Sequence, residues 1–208
     1  MNNWIPSACR NISLSLKESG RRKTIDLATL EPAGPEGDVL SGEGRFDPPT
    51  TSLDKEGQGV PYATYGFAAQ MAEVEVDCEL GSTNVLRVVA AHDVGRAINP
   101  TQVEGQIQGG IAQGLGLALM EEYVPGVSEN LHDYLIPTVG DIPEIEVIIV
   151  EDAELLGPYG AKGIGEPALI PTAPAILGAI RHATGARVVR VPATPERVLA
   201  ALRAKARG

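Results

Sequence analysis

Asp93-Val94-Gly95-Arg96-Ala97-Ile98-Asn99-Pro100-Thr101-Gln102-Val103-Glu104-Gly105-Gln106-Ile107-Gln108-Gly109-Gly110-Ile111-Ala112-Gln113-Gly114-Leu115-Gly116 is the stretch on which the fold turns. Its first residues follow a continuous apolar run, Val85 to Ala91, broken only by Arg87, which predicts a buried strand with His92 to Gly95 at its exit. Asn99-Pro100-Thr101 is a helix start, because an Asn side chain can accept from the first free N–H groups and Pro suits the first helical turn. Val103, Ile107, Ile111, Leu115 and Ala118 follow at helical spacing, predicting a helix that reaches Glu122. Inside it fall Gly105, Gly109, Gly110, Gly114 and Gly116, each of which costs about 1 kcal/mol relative to Ala. A helix that carries such residues is approached so closely that a Cβ would be in the way.

Upstream, Val74, Val76, Cys78 and Leu80 alternate with acidic residues at the period of a half-buried strand, and Gly81-Ser82 turns the chain. This strand and the Val85 to Ala91 run are expected to pair as a hairpin. Downstream, Glu144 to Val150 predicts a third strand, Ala175 to His182 a helix stopped by Thr184-Gly185, and Arg187 to Val191 a fourth strand. Thr194-Pro195-Glu196 caps a last helix that buries Val198, Leu199 and Leu202. Strands and helices interleave without an internal repeat, so the expected class is mixed α/β (α+β). Residues 1–60 read differently: a short strand at Asn11 to Leu16, a basic patch from Lys17 to Lys23, then a run rich in Gly, Pro and acids from Glu31 to Gln58. The expected organisation is an irregular extended segment, 1–60, packing on a partner chain, and a domain over 61–208.

At 208 residues and 43% hydrophobic content the chain can bury a sizeable core. Its net charge of -10, from 27 acidic against 17 basic residues, comes with no long basic run, which argues against nucleic acid or an anionic membrane as partner. No stretch approaches the roughly 18 apolar residues of a membrane span. Cys9 and Cys78 lie far apart and no secretory leader pattern opens the sequence, so a cytoplasmic protein with free thiols is expected. Neither these cysteines nor His92, His132 and His182 have metal-ligand spacing.

Two stretches carry candidate chemistry. In Gly160-Ala161-Lys162-Gly163-Ile164-Gly165-Glu166-Pro167, three glycines lead into an acid and a proline. Such a turn can align backbone N–H groups on an anionic or polar ligand while Glu166 projects toward the same space. Read alone, the octapeptide fits equally well an ordinary loop with an acid at a helix N-terminus. A dinucleotide or phosphate loop is disfavoured, since no Gly-Lys-Ser/Thr follows and Pro167 and Pro171 interrupt the helical turns such motifs need. On the helix, Gln106 and Gln113 stand seven residues apart, with Gly109 and Gly110 between them, which sets two amides and bare backbone on one side. An amide both donates and accepts, as recognition of a pterin or nucleobase edge requires. Solvated glutamines on a helix packed closely against a neighbour give the same pattern.

Taken together, Asp93-Val94-Gly95, Ile98-Asn99-Pro100, Val103-Glu104-Gly105-Gln106, Tyr134-Leu135-Ile136-Pro137-Thr138 and Lys162-Gly163-Ile164-Gly165-Glu166-Pro167, in this order, resemble the C-terminal part of the molybdenum-binding subunit of the xanthine dehydrogenase and aldehyde oxidase family. The resemblance runs from about Gly57 to the C-terminus. It implies the fold of the C-terminal half of that family's molybdenum-cofactor-binding domain. It further implies that Glu166 is the active-site base and Gln106 a pterin contact, with Gln113, Lys162, Gly163, Ile164 and Gly165 as further cofactor-binding residues. The molybdenum would be held by the pterin dithiolene and by no side chain of this chain. The implied activity is a molybdenum-dependent hydroxylase, oxidising an electron-poor carbon of an N-heterocycle, purine or aldehyde, with water as the oxygen source; carbon monoxide is a further substrate class of the family. The implied cofactor is molybdopterin in its cytosine dinucleotide form. [2Fe–2S] and FAD are expected on partner chains, since two cysteines cannot supply the four ligands of a cluster. Family large subunits are several times longer. Met1 and the closing helix therefore point to a natural split subunit, completed by a companion chain that carries the N-terminal half. A non-catalytic scaffold or maturation protein of the same fold is the alternative, and a stand-alone small-ligand module a weaker one.

Overall fold

The computed structural model describes residues 13–18, 21–32 and 43–207, so Cys9 and part of the Glu31 to Gln58 run, residues 33–42, lie outside it. The chain divides into two compact units, Met1–Asp47 and Pro48–Gly208. In the first, β1 (Ser13–Glu18) and β2 (Arg21–Asp26) form an antiparallel hairpin in which Ser13 faces Asp26. The basic residues expected to follow a single strand instead supply the start of its partner. Asp26 closes β2 by accepting from the Ala28 N–H at 3.0 Å.

The second unit is built on a three-stranded sheet ordered β3 (Ala68–Val76), β4 (Thr83–Asp93), β5 (Glu144–Val150). β3 ends at Val76, earlier than its alternation suggests, because the Asp77 carboxylate accepts from the N–H groups of Glu79 and Leu80 and bends the chain. Cys78 and Leu80 are therefore exposed in the turn rather than inward-facing on a strand. Gly81 completes the turn with φ +74, and a Cβ there would fall on the Pro195 carbonyl. β4 is paired on both sides, antiparallel to β3 and parallel to β5, which is why its sequence reads as a nearly continuous apolar run.

The parallel pair is joined through α1 (Pro100–Leu119). Asn99 caps α1 by accepting from the Gln102 N–H at 3.2 Å, as its sequence requires. α1 stops short of Glu122 because the N–H groups of Met120 and Glu121 both turn onto the Gly116 carbonyl. Two further helices follow, α2 (Thr172–Thr184), closed by Gly185 at φ +69, and α3 (Pro195–Lys205). Val85, Val88 and Ala90 of β4, Ile107, Ile111 and Leu115 of α1, Ile176 and Ile180 of α2, and Val198 of α3 form one core. Strands with helices packed on them make the expected α+β class.

Two further local expectations fail. Arg187 to Val191 is not a strand: the sheet ends at β3 and β5, the segment pairs with neither, and Val189 points into solvent. It is anchored instead through the neighbouring Ala193 N–H, which donates to the Ala118 carbonyl at 2.6 Å. Thr194 starts α3 with its backbone alone, its carbonyl accepting from the Val198 N–H, and its hydroxyl makes no cap. No helix among the described residues is long and apolar enough to cross a membrane.

Candidate functional site

Because β4 and β5 run parallel with Asp93 beside Val150, the loops that leave them emerge at the same end of the sheet. That is where ligands bind in open parallel sheets. The two loops are stitched together: Val94 N–H donates to the Val150 carbonyl at 3.0 Å, Lys162 N–H to the Val94 carbonyl at 2.9 Å, and Arg96 N–H to the Gly160 carbonyl at 2.7 Å. Gly95 is indispensable there. Its φ is +62, and a Cβ would lie 2.8 Å from the Lys162 nitrogen.

Under this seam lies an ion pair that sequence reading did not single out. The Lys162 ammonium donates to the Asp93 carboxylate at 2.6 Å, with side-chain exposures of 7% and 8%, and Asp152 stands 3.8 Å away. Burial pushes the Asp93 carboxyl up, but the Lys162 ammonium and the Gly95 N–H outweigh it and hold it below the usual carboxylate range. The hydrogen bond to Asp93 holds the Lys162 ammonium above the usual lysine range, against the opposing effect of its partial burial. Lys162, which the motif offers as a cofactor contact, thus commits its charge to the scaffold and leaves its stem for the wall of the site.

The sign of the pH dependence follows. Asp93 contributes stability that is complete above the ordinary aspartate value of about 4 and is lost as pH falls through its depressed one; Lys162 contributes stability that is lost only as pH rises through its raised one. Asp93→Asn is therefore expected to lower the melting temperature at neutral pH, with the gap to the wild type narrowing as pH falls below about 4. Thermal melts across pH 2–9 check this, and a gap independent of pH would deny the pair its role.

Between the two loops and α1 is a depression of about 260 Å³, lined by Arg96, Asn99, Gln102, Gln106, Lys162 and Ile164 among others. The structure thus brings Gln106 together with Lys162 and Ile164, which lie 56 and 58 positions further along the sequence. Gln113 does not line this depression; it is exposed two turns further along the face of α1 that carries Gln106. Gly163, Gly165 and Glu166 continue from its rim and are exposed.

Four of the five glycines of α1 divide into two groups. Gly110 and Gly114 face inward: a Cβ on Gly110 would lie 2.7 Å from Ala168 Cβ, and one on Gly114 would lie 2.8 Å from Thr172 Cγ2. Gly105 and Gly109 face outward, and a Cβ on either would meet nothing within 4 Å. The same is true of Gly163 and Gly165, whose backbone needs no positive φ. Four glycines that the folded chain itself does not need therefore surround the exposed glutamine face and the loop leading to Glu166.

That loop has a further property. The N–H groups of Gly163, Ile164, Gly165 and Glu166 donate to nothing among the described residues, and the Glu166 carboxylate accepts from nothing there. The chain then turns: Leu169 N–H donates to the Glu166 carbonyl at 3.0 Å, so Glu166 opens a β-turn. Such an array suits an anionic or polar ligand gripped by backbone, with a carboxylate free to take a proton.

Behind the turn lies a polar cluster that pattern reading could not find. Gln70, on β3, donates through Nε2 to the Ala168 carbonyl at 2.9 Å and contacts His92 Nε2 at 3.1 Å. Since the amide nitrogen can only donate, His92 Nε2 accepts and the ring is neutral; burial likewise lowers its pKa. His92 is a core residue, while His132 and His182 are exposed. Among the described residues no three His, Cys, Asp or Glu side chains converge on a metal site.

Comparison with known proteins bears on this site. The family described as molybdopterin cofactor-binding domain matches residues 9–143. The putative xanthine dehydrogenase molybdenum-binding subunit of Escherichia coli K12 is 39% identical over 138 residues, covering 64% of this chain and 18% of that protein. Aldehyde oxidoreductase from Desulfovibrio gigas superposes with a TM-score of 0.71 at 39% identity, over 74% of this chain and 17% of the other. Quinoline 2-oxidoreductase from Pseudomonas putida 86 superposes with a TM-score of 0.60 at 39% identity, over 62% and 18%. The chain spans less than a fifth of the length of these relatives.

Proposed function

Because this chain belongs to the molybdopterin cofactor-binding domain family, we propose that it is the C-terminal part of the molybdenum-binding subunit of a molybdenum hydroxylase, with Glu166 as the base. The observation that carries the proposal is the run of N–H groups from Gly163 to Glu166 that, among the described residues, is unused and ends in an exposed carboxylate without a partner. The fit to a pterin rests on this chain's own groups. Gln106 offers a donor and an acceptor beside the depression, Ile164 and the Lys162 stem give it walls, and bare backbone at Gly105, Gly109, Gly163 and Gly165 leaves room where any Cβ would intrude. Gln113, on the same exposed face of α1, supplies a second amide further along an elongated cofactor such as the cytosine dinucleotide form of molybdopterin.

When bound, the cofactor would supply the two-electron redox chemistry, its molybdenum carried by the pterin dithiolene and by no side chain of this chain. Glu166 would take the proton from a water-derived oxygen as that oxygen bonds to an electron-poor carbon of an N-heterocycle, purine or aldehyde, the electron pair of the broken C–H bond passing to the bound cofactor. Its carboxylate is suited to this because no group among the described residues already occupies it. Relatives named for aldehyde and quinoline oxidation support that range of substrates.

The remainder of the assembly belongs to other polypeptide segments. Leu53, Val60 and Phe67, with Leu131, Val139 and Leu155, are apolar and exposed, as expected of surfaces that a companion molybdenum-subunit segment covers. The [2Fe–2S] and FAD centres are assigned to partner chains, in keeping with two cysteines of which Cys78 is free and exposed. Metal analysis and mass spectrometry of the natively purified protein test the proposal. Molybdenum, a pterin and a larger companion are expected; a metal-free, solitary chain would overturn it in favour of a scaffold.

A further inference from the structure

Among the described residues Glu166 makes no side-chain hydrogen bond, so what the chain holds in place is the backbone from which its carboxylate projects. That backbone is held two residues further on. Ala168 is completely buried, and its carbonyl accepts from Gln70 Nε2 and from Thr172 Oγ1, both at 2.9 Å. Thr172 Oγ1 also lies 2.8 Å from Gln70 Oε1, so its one proton serves two acceptors. The other Gln70 hydrogen meets His92 Nε2, which is itself buried in β4. Every polar atom of the Gln70 amide is thereby used, and the cluster joins β3, β4 and the start of α2 to one peptide group. Gly110 and Gly114 allow the same segment to press onto α1. Between this clamp and the carboxylate stand only Pro167, whose ring restricts φ, and the turn closed by Leu169 N–H on the Glu166 carbonyl.

We propose that Gln70 and Thr172 are positioning residues for Glu166: they fix the Ala168 peptide and so hold the backbone that carries the base at a constant place beside the site. The inference rests on Glu166 being the base. Ligand contact is not part of their role, since Thr172 is buried and Gln70 is taken up by its three partners. Their loss should leave substrate binding nearly intact while lowering the rate at which the carboxylate meets its proton.

The test uses the full complex carrying Thr172→Val, which keeps the shape and removes the hydroxyl, Gln70→Met, and Thr172→Ser, which restores the hydroxyl. The first readout is amide hydrogen exchange over 166–171. About tenfold faster exchange is expected in Thr172→Val and Gln70→Met, and wild-type exchange in Thr172→Ser. The second is steady-state kinetics with whichever of xanthine, benzaldehyde and quinoline the wild-type complex oxidises. The expected result is a fall in kcat of about tenfold with KM nearly constant, restored by Thr172→Ser. Unchanged exchange overturns the clamp. Faster exchange with unchanged kcat, in a complex that Glu166→Gln inactivates, overturns the positioning role alone. Wild-type turnover in Glu166→Gln overturns the base, and the exchange measurement still decides whether the turn is clamped.

Discussion

Replacing Glu166 with glutamine is expected to lower turnover by about 10²–10⁴-fold, the usual contribution of a general base, while the molybdenum content of the complex stays at its wild-type level. The two side chains are nearly the same size, and the amide cannot take the proton. Glu166 is exposed and its carboxylate is bound to no group among the described residues, so the exchange breaks no fold-stabilising contact there. Backbone N–H groups, which the substitution leaves alone, are the ones proposed to grip the cofactor. A fall in rate accompanied by loss of metal would mean that Glu166 holds the cofactor rather than moving a proton. Retained turnover would remove it from the chemistry altogether.

The same substitution at two adjacent glycines is expected to give opposite results. Gly109→Ala gains helix propensity, up to about 1 kcal/mol, because its new Cβ meets nothing. Gly110→Ala gains the same propensity but drives its Cβ to 2.7 Å from Ala168 Cβ and 3.1 Å from the Leu169 nitrogen. These are atoms of a clamped turn that cannot give way, and overpacking of this kind costs about 1–3 kcal/mol. The propensity term cancels between the two variants, so their difference in unfolding free energy isolates the steric one. Denaturant melts of the chain measure it, and equal stabilities would show that the turn is free to retreat from α1. In the assembled complex the ranking has a second part: Gly109→Ala, harmless to the fold, should lower pterin occupancy if the bare face of α1 meets the cofactor.

Much of this protein could be read from local sequence because the relevant physics is local. Asn99-Pro100 announces a helix through the N–H group it satisfies, Gly185 ends one through the left-handed backbone it tolerates, and Glu144 to Val150 alternates as a half-buried edge strand does. Strand boundaries were less legible. Cys78 and Leu80 continue the alternation of β3, yet the Asp77 side chain outcompetes the sheet for the next two N–H groups. Arg187 to Val191 has strand composition but no partner, and pairing is a tertiary property.

The sequence by itself determined the class of the fold, the glycine-rich helix, and Glu166 and Gln106 as the residues to watch, since ordered motifs carry those. Only the tertiary structure decided which glycines serve the chain's own packing and which lie open, because the atoms that close on Gly110 come from Ala168 and Leu169, about 60 positions away, while nothing comes within 4 Å of a Cβ on Gly109. It likewise decided that the Lys162 charge belongs to Asp93, and that Gln70, a residue without any pattern to mark it, reaches the turn behind Glu166. Hydrogen bonds and close contacts across 69 to 102 positions depend on where strands and helices come to rest, and no local window contains them.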